Sequence, residues 1–196
     1  SARGTTTNGV IPPVWPNSPN SWAIKFKMKK RENNFAYIDG ANLYNGSKSL
    51  GWKLDYRRFR VWLKDKYSVE RAYLFIGLVA KNKDLYTFLQ EAGFTLVFKE
   101  TVCGGDGKIK GNCDADLVLF TARDAYENTY KKAVIVSSDG DYASLVKFLC
   151  EKEKLRILLS PSKSKQCSIL LKRTNAPIAY INDQRRVLEL KRKNPQ

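Results

Sequence analysis

From Asn34 to Ile181, short apolar runs take turns with stretches of helical period, and this alternation limits the possible fold more than any other feature of the chain. Residues 35–39 form the first run, Phe-Ala-Tyr-Ile-Asp, and residues 69–78, 94–98, 133–137, 155–159 and 176–181 are the further predicted strands. Between them, residues 55–66 carry Phe59, Trp62 and Leu63 at helical spacing. Residues 83–92, 114–128, 142–151 and 163–172 are also predicted helices, with Gly93 stopping the first of these. Strands alternating with helices imply right-handed βαβ crossovers and a mainly parallel sheet covered on both faces. Ala133-Val-Ile-Val136 is apolar throughout, as a strand buried on both sides requires. The fold class is therefore α/β.

Three parts are expected: an arm at residues 1–33, one domain at 34–183 and a basic tail at 184–196. Within the arm, Ile24, Phe26 and Met28 alternate with Lys25, Lys27 and Lys29, the pattern of a strand with one basic face. Such lysines serve either to discourage edge-to-edge aggregation or to add a nucleic-acid surface. The tail segment, residues 185–193, reads as a short basic helix or a fraying arm.

Composition then narrows the chemistry. Lys+Arg 35 against Asp+Glu 19 leaves a net charge of +16. That excess favours a polyanionic partner, because phosphate contacts release condensed counterions; it also serves solubility. The chain contains no histidine, which excludes Ser-His-Asp, Cys-His and histidine-based ribonuclease chemistry. Hydrolysis must then rely on carboxylates, lysines or metal. Cys103, Cys113, Cys150 and Cys167 show neither a C-x-x-C pair nor zinc-finger spacing. Cys150 and Cys167 lie in apolar stretches and read as buried thiols. No apolar run reaches the length of a membrane span, and no secretory pattern opens the chain. A cytoplasmic protein with no membrane partner is the expectation.

Ligands of parallel sheets bind beyond the carboxyl ends of the strands, and acids gather at those positions here. Asp39 ends the first predicted strand, Asp139 and Asp141 follow the fourth, and Asp114 and Asp116 open the helix before it. Each group has a local explanation: Asp39-Gly40 as a turn, Asp114 as a helix cap, Asp139-Gly-Asp141 as a turn and cap. Their shared placement at strand ends favours a common site. Crowded carboxylates repel, a divalent cation removes that penalty, and all-oxygen ligation suits Mg²⁺ or Mn²⁺. Asp114 and Asp116 point about 200° apart on a regular helix, so only one is expected to ligate directly unless Asp114 precedes the helix. Val118, Ala122 and Ala125 lie on the side of Asp114, which leaves Asp116 nearer the polar side.

Tyr37-Ile-Asp-Gly-Ala-Asn-Leu43, Lys110-Gly-Asn-Cys-Asp-Ala-Asp-Leu117 and Val136-Ser-Ser-Asp-Gly-Asp-Tyr142, in that order, resemble the NYN-domain family. The nearest branch is similar to the LabA-like proteins, within the PIN-like nuclease superfamily, and the similarity spans about residues 34–181. The resemblance implies a PIN-like three-layer α/β/α sandwich with an acidic pocket for Mg²⁺ or Mn²⁺ and ribonuclease activity. By motif, Asp39 matches the first-strand acid, Asn42 the asparagine of D-G-x-N, Asp114 and Asp116 the acids of K-G-x-D-x-D, and Asp139 and Asp141 those of S-G-D-G-D. The chain departs by Ser138 where the family usually has glycine and by its inserted Cys113; neither removes an oxygen ligand.

The expected function is metal-dependent hydrolysis of RNA phosphodiesters. Asp39 and Asp139 would hold the ion, with Asp116 or Asp114 and Asp141 completing its shell and Asn42 orienting a carboxylate or phosphate oxygen. Lys108 and Lys110, in the glycine-rich loop, are candidates to reach the nucleic-acid backbone. The alternative is a non-catalytic RNA-binding or regulatory module on the same fold, with Trp22, Trp52 and Tyr44 available for stacking. A haloacid-dehalogenase-type phosphatase also places aspartates at parallel-strand ends, but its D-x-D motif is absent, since Asp39 is followed by Gly40 and Ala41.

Overall fold

The computed structural model describes residues 32–99 and 113–191, and the backbone of residues 102–103 and 109–110. The alternating lysines of the arm, Trp22 and Lys108 lie outside the described residues. Six parallel strands form the central sheet: β1 (Asn34–Asp39), β2 (Val69–Gly77), β3 (Thr95–Lys99), β6 (Ala133–Val136), β7 (Leu155–Ser160) and β8 (Ile178–Tyr180). Their spatial order is β3-β2-β1-β6-β7-β8. In the glycine-rich loop, β4 (Val102–Cys103) and β5 (Ile109–Lys110) pair antiparallel as a separate hairpin.

Side chains of successive strand residues point to opposite faces, and here both faces are covered. Ala36 and Ile38 of β1, Leu74 of β2 and Val134 and Val136 of β6 face one core. Into it α1 (Gly40–Ser49) inserts Leu43, and α2 (Tyr56–Tyr67) inserts Phe59 and Leu63. Phe35 and Tyr37, Phe75 and Ile135 face the other core. There α4 (Asp114–Tyr126) contributes Leu117, and α5 (Ala143–Glu151) contributes Leu145, Val146 and Leu149. This is the three-layer α/β/α sandwich expected. The sheet is entirely parallel, and β1 and β6 at its centre are buried along their whole length.

Two elements differ from the sequence expectation, and a third takes one of its two expected forms. Residues 40–49 read as no element, yet they form α1. Its composition, Gly-Ala-Asn-Leu-Tyr-Asn-Gly-Ser-Lys-Ser, is poor for a helix. It is held by a cap from Asp39, by fully buried Leu43, and by Gly46, where an added Cβ would come within 2.8 Å of Pro161. The helix predicted at 163–172 shrinks to a single 3₁₀ turn and α6 (Ile169–Lys172). In the tail, α7 (Arg185–Leu188) packs instead of fraying: Leu188 is buried in the α2-side core, and Glu189 bridges Leu54. Remaining α3 (Lys83–Glu91) lies against β3. No helix among the described residues is long and apolar enough to cross a membrane.

Candidate metal centre

From β1 the chain winds outward to β2 and β3, then returns to β6 on the other side of β1 and winds outward to β7 and β8. The winding direction reverses between β1 and β6. At such a reversal the following helices leave on opposite faces, and a crevice opens beyond the carboxyl ends of the two strands. Asp39 is the last residue of β1 and Asp139 lies just past β6, so one crevice receives both.

Asp39 is 8% exposed. Its Oδ1 accepts from the Asn42 backbone N–H at 2.9 Å, which caps α1. Its Oδ2 lies 3.3 Å from the Tyr142 hydroxyl, which also donates to Oδ1 of Asp114. A phenol has one proton and cannot serve two carboxylates at once. Burial pushes the Asp39 carboxyl above its usual range; the Asn42 N–H opposes this, and the charges of Asp114 and Asp139 add to it. Burial, and then the Asp39 charge, push the Tyr142 phenol well up, so it stays protonated.

Carboxylate oxygens of Asp114, Asp139 and Asp141 lie within 4.8 Å of one another. Asp139 caps the 3₁₀ turn that follows, its Oδ1 accepting from the Asp141 N–H at 3.2 Å. Its own N–H donates to Ser137 Oγ at 3.1 Å. The donor set is all oxygen, and three acids this close can hold a divalent metal ion of the hard kind. Cys113 lines the same cavity. Burial and the charges of Asp39, Asp116 and Asp114 push its thiol up to about 11, so it offers no thiolate to compete.

Asp116 does not join this group. Its carboxylate pairs with Lys99 Nζ at 2.8 Å, at the end of β3. The sequence left open which of Asp114 and Asp116 turns to the other acids; the structure brings Asp114 there, for a geometric reason. Asp114 shares the face of α4 that carries buried Leu117, Thr121 and Ala125, and the crevice opens on that core-facing side. Asn42 fastens two segments together. Its Oδ1 accepts from both the N–H and the hydroxyl of Ser138 at 2.9 Å, so it ties α1 to the loop carrying Asp139. Ser138 Oγ in turn lies 3.1 Å from Ser162 Oγ. The serine that stood out in the motif is thus a fastening between loops. Tyr142 and Ser162 were not among the sequence candidates; Tyr142 looked like an ordinary aromatic at a helix start. Lys110 sits in β5, where only its backbone is described.

The raised Asp39 carboxyl makes stability depend on pH. The folded chain holds that proton to higher pH than the unfolded chain does. The stabilisation is therefore complete below the ordinary carboxylate pKa and lost as pH rises through the raised one. We expect the melting temperature of metal-free protein to fall across that window, and Asp39→Asn to remove this part of the fall. Parallel pH profiles for the two proteins would refute the assignment.

The sequence matches the NYN domain family over residues 36–176. In structure the chain is similar to a protein of unknown function from Vibrio parahaemolyticus, with TM-score 0.66 and 20% identity over 81% of this chain and 98% of that one. That likeness concerns the fold alone. No functionally curated protein matches the sequence at a significant level. With the family match spanning all three acidic motifs, the six-stranded parallel sheet and the acids at its winding reversal, the chain belongs to the NYN-domain family, a branch of the PIN-like nuclease superfamily.

Proposed function

We propose that the protein is a divalent-metal-dependent ribonuclease whose ion is held by Asp114, Asp139 and Asp141 beside Asp39. The observation that carries this reading is the set of three carboxylates within 4.8 Å of one another, at the winding reversal of a nuclease-superfamily fold. Mg²⁺ or Mn²⁺, when bound, supplies a water of lowered pKa and offsets charge on the phosphate under attack. The chain's own residues do the rest. Asp39, buried at the end of β1, presents Oδ2 to the Tyr142 hydroxyl beside the trio. Tyr142 keeps the Asp114 carboxylate turned into the crevice. Asn42 and Ser138 fix the distance between the two loops that bring the acids together. The net charge of +16 supports a nucleic-acid partner, and the family resemblance supports RNA over DNA.

The test is cleavage of a labelled RNA oligonucleotide by purified protein with Mg²⁺ or Mn²⁺, and with excess chelator. Cleavage that requires the dication is the expected result. Cleavage that persists in chelator removes the metal from the mechanism, and binding without turnover under both ions favours the non-catalytic module.

A further inference from the structure

The crevice does not stop at the acids. It continues as a cavity of about 940 Å³ along α1, and a second cavity of about 560 Å³ adjoins it, with Tyr44 and Tyr56 lining both. The floor of this path is the exposed stripe of α1. Ala41, Tyr44, Asn45, Lys48 and Ser49 recur at helical neighbour spacing, and all are exposed. The chemistry changes along it. Asp39, Asp114 and Asp139 line the first cavity together with Asn45 and Asn82. Next is the Tyr44 ring, 57% exposed, and beyond it Lys48 and Lys53. Lys48 Nζ stands 5.9 Å from the Tyr44 ring centroid. Among the described residues, no Lys or Arg lines the first cavity, whereas no acid lines the second.

This sequence of groups matches a polynucleotide strand. A phosphate under attack needs the metal cup, the adjoining base needs a ring to stack on and amides for its edge, and the next phosphates need ammonium groups. A duplex would keep its bases turned inward, away from an aromatic ring standing at the surface. Conditional on the acidic trio being the hydrolytic centre, we propose that the α1 stripe is the track of a single-stranded RNA. Its flanking base stacks on Tyr44 beside Asn45 and Asn82, and its following phosphates lie against Lys48 and Lys53. Tyr44 sits about 7 Å along the helix axis from Asp39, and Lys48 about 6 Å farther. The groups are therefore spaced as separate contacts along one strand rather than as a single pocket.

The test reads binding, not cleavage. A fluorescein-labelled single-stranded oligoribonucleotide is titrated with the full chain in chelator, by anisotropy, at several salt concentrations. Tyr44→Ala is expected to weaken binding about tenfold. Lys48→Glu with Lys53→Glu should weaken it at least about tenfold and lower the steepness of the salt dependence by roughly 1.4, the slope of two phosphate contacts. Lys64→Glu with Lys147→Glu changes the net charge equally, on exposed parts of α2 and α5 outside the track, and should bind nearly as the wild type does. Equal losses in both double variants, or wild-type binding by the Tyr44 and Lys48/Lys53 variants, overturn the track. Groove-dependent binding with no cleavage under Mg²⁺ or Mn²⁺ upholds the track while the nuclease reading fails. Metal-dependent cleavage that ignores the groove variants does the reverse.

Discussion

Asp139→Asn is expected to lower divalent-dependent RNA cleavage on the order of a thousandfold. A bound cation supplies several kcal/mol of charge stabilisation in the transition state, and each ~1.4 kcal/mol lost is a factor of ten in rate. Asp39→Asn and Asp114→Asn should fall into the same class, because they act on the same crevice. Asp116→Asn is the contrasting case. Its carboxylate is turned to Lys99 and is 38% exposed, so its loss removes a partly solvated ion pair and should cost less than about tenfold. Heat should give the opposite order. Without metal, each asparagine at the trio removes a like charge and leaves the melting temperature at or above that of the wild type. Rates measured with Mn²⁺ across the four variants, with melting curves in chelator, check both statements. Loss of activity in Asp116→Asn equal to that in Asp139→Asn would sink the assignment of Asp114 to the cup.

Leu43→Ala carries the largest expected stability effect. Leu43 is fully buried and is the apolar anchor of a helix whose own composition opposes helix formation. Deleting such a side chain removes its transfer free energy and leaves a void, about 2–5 kcal/mol in all. For a domain of this size that lowers the melting temperature by roughly 5–15 °C. The loss should not stay local. Asn42 precedes Leu43 directly and clamps Ser138, so a loosened α1 also loosens the loop bearing Asp139. Activity below the melting transition should therefore drop as well. Thermal unfolding and single-turnover cleavage at 20–25 °C, far below the transition, separate the two effects. A Leu43→Ala protein as stable as wild type would show that α1 is held by its cap and Gly46 alone.

The alternating pattern made the sandwich legible because parallel strands buried on both faces have little freedom in composition: Ala133-Val-Ile-Val136 could hardly be anything else. The strand-end rule likewise placed Asp39 and Asp139 at one edge before any coordinates. Helix α1 was hidden because its helicity comes from tertiary contacts, Leu43 in the core and Gly46 against Pro161, which no local propensity records. The choice between Asp114 and Asp116 stayed open in the sequence on a similar point. Periodicity identified the two faces of α4 correctly, but an acid needed in a crevice belongs on the face that turns inward. Tyr142 and the Ser138–Ser162 contact join segments distant in the chain, and nothing near them in sequence announces the partnership. The lysines chosen from the glycine-rich loop were selected by composition, whereas Lys48 and Lys53 stand out only once the two cavities are seen to share Tyr44 and Tyr56.

The strand order also governs when the acidic cluster can assemble during synthesis. β1 needs β6 as its neighbour, and Asp39 meets Tyr142 across 103 positions of chain. A nascent polypeptide that has emerged only as far as α4 owns Asp39 and Asp114 but not the loop that completes their company. The acidic cluster thus stays incomplete on the ribosome until the chain through Tyr142 has emerged, a built-in delay for a molecule whose proposed target is the same kind of polymer that encodes it.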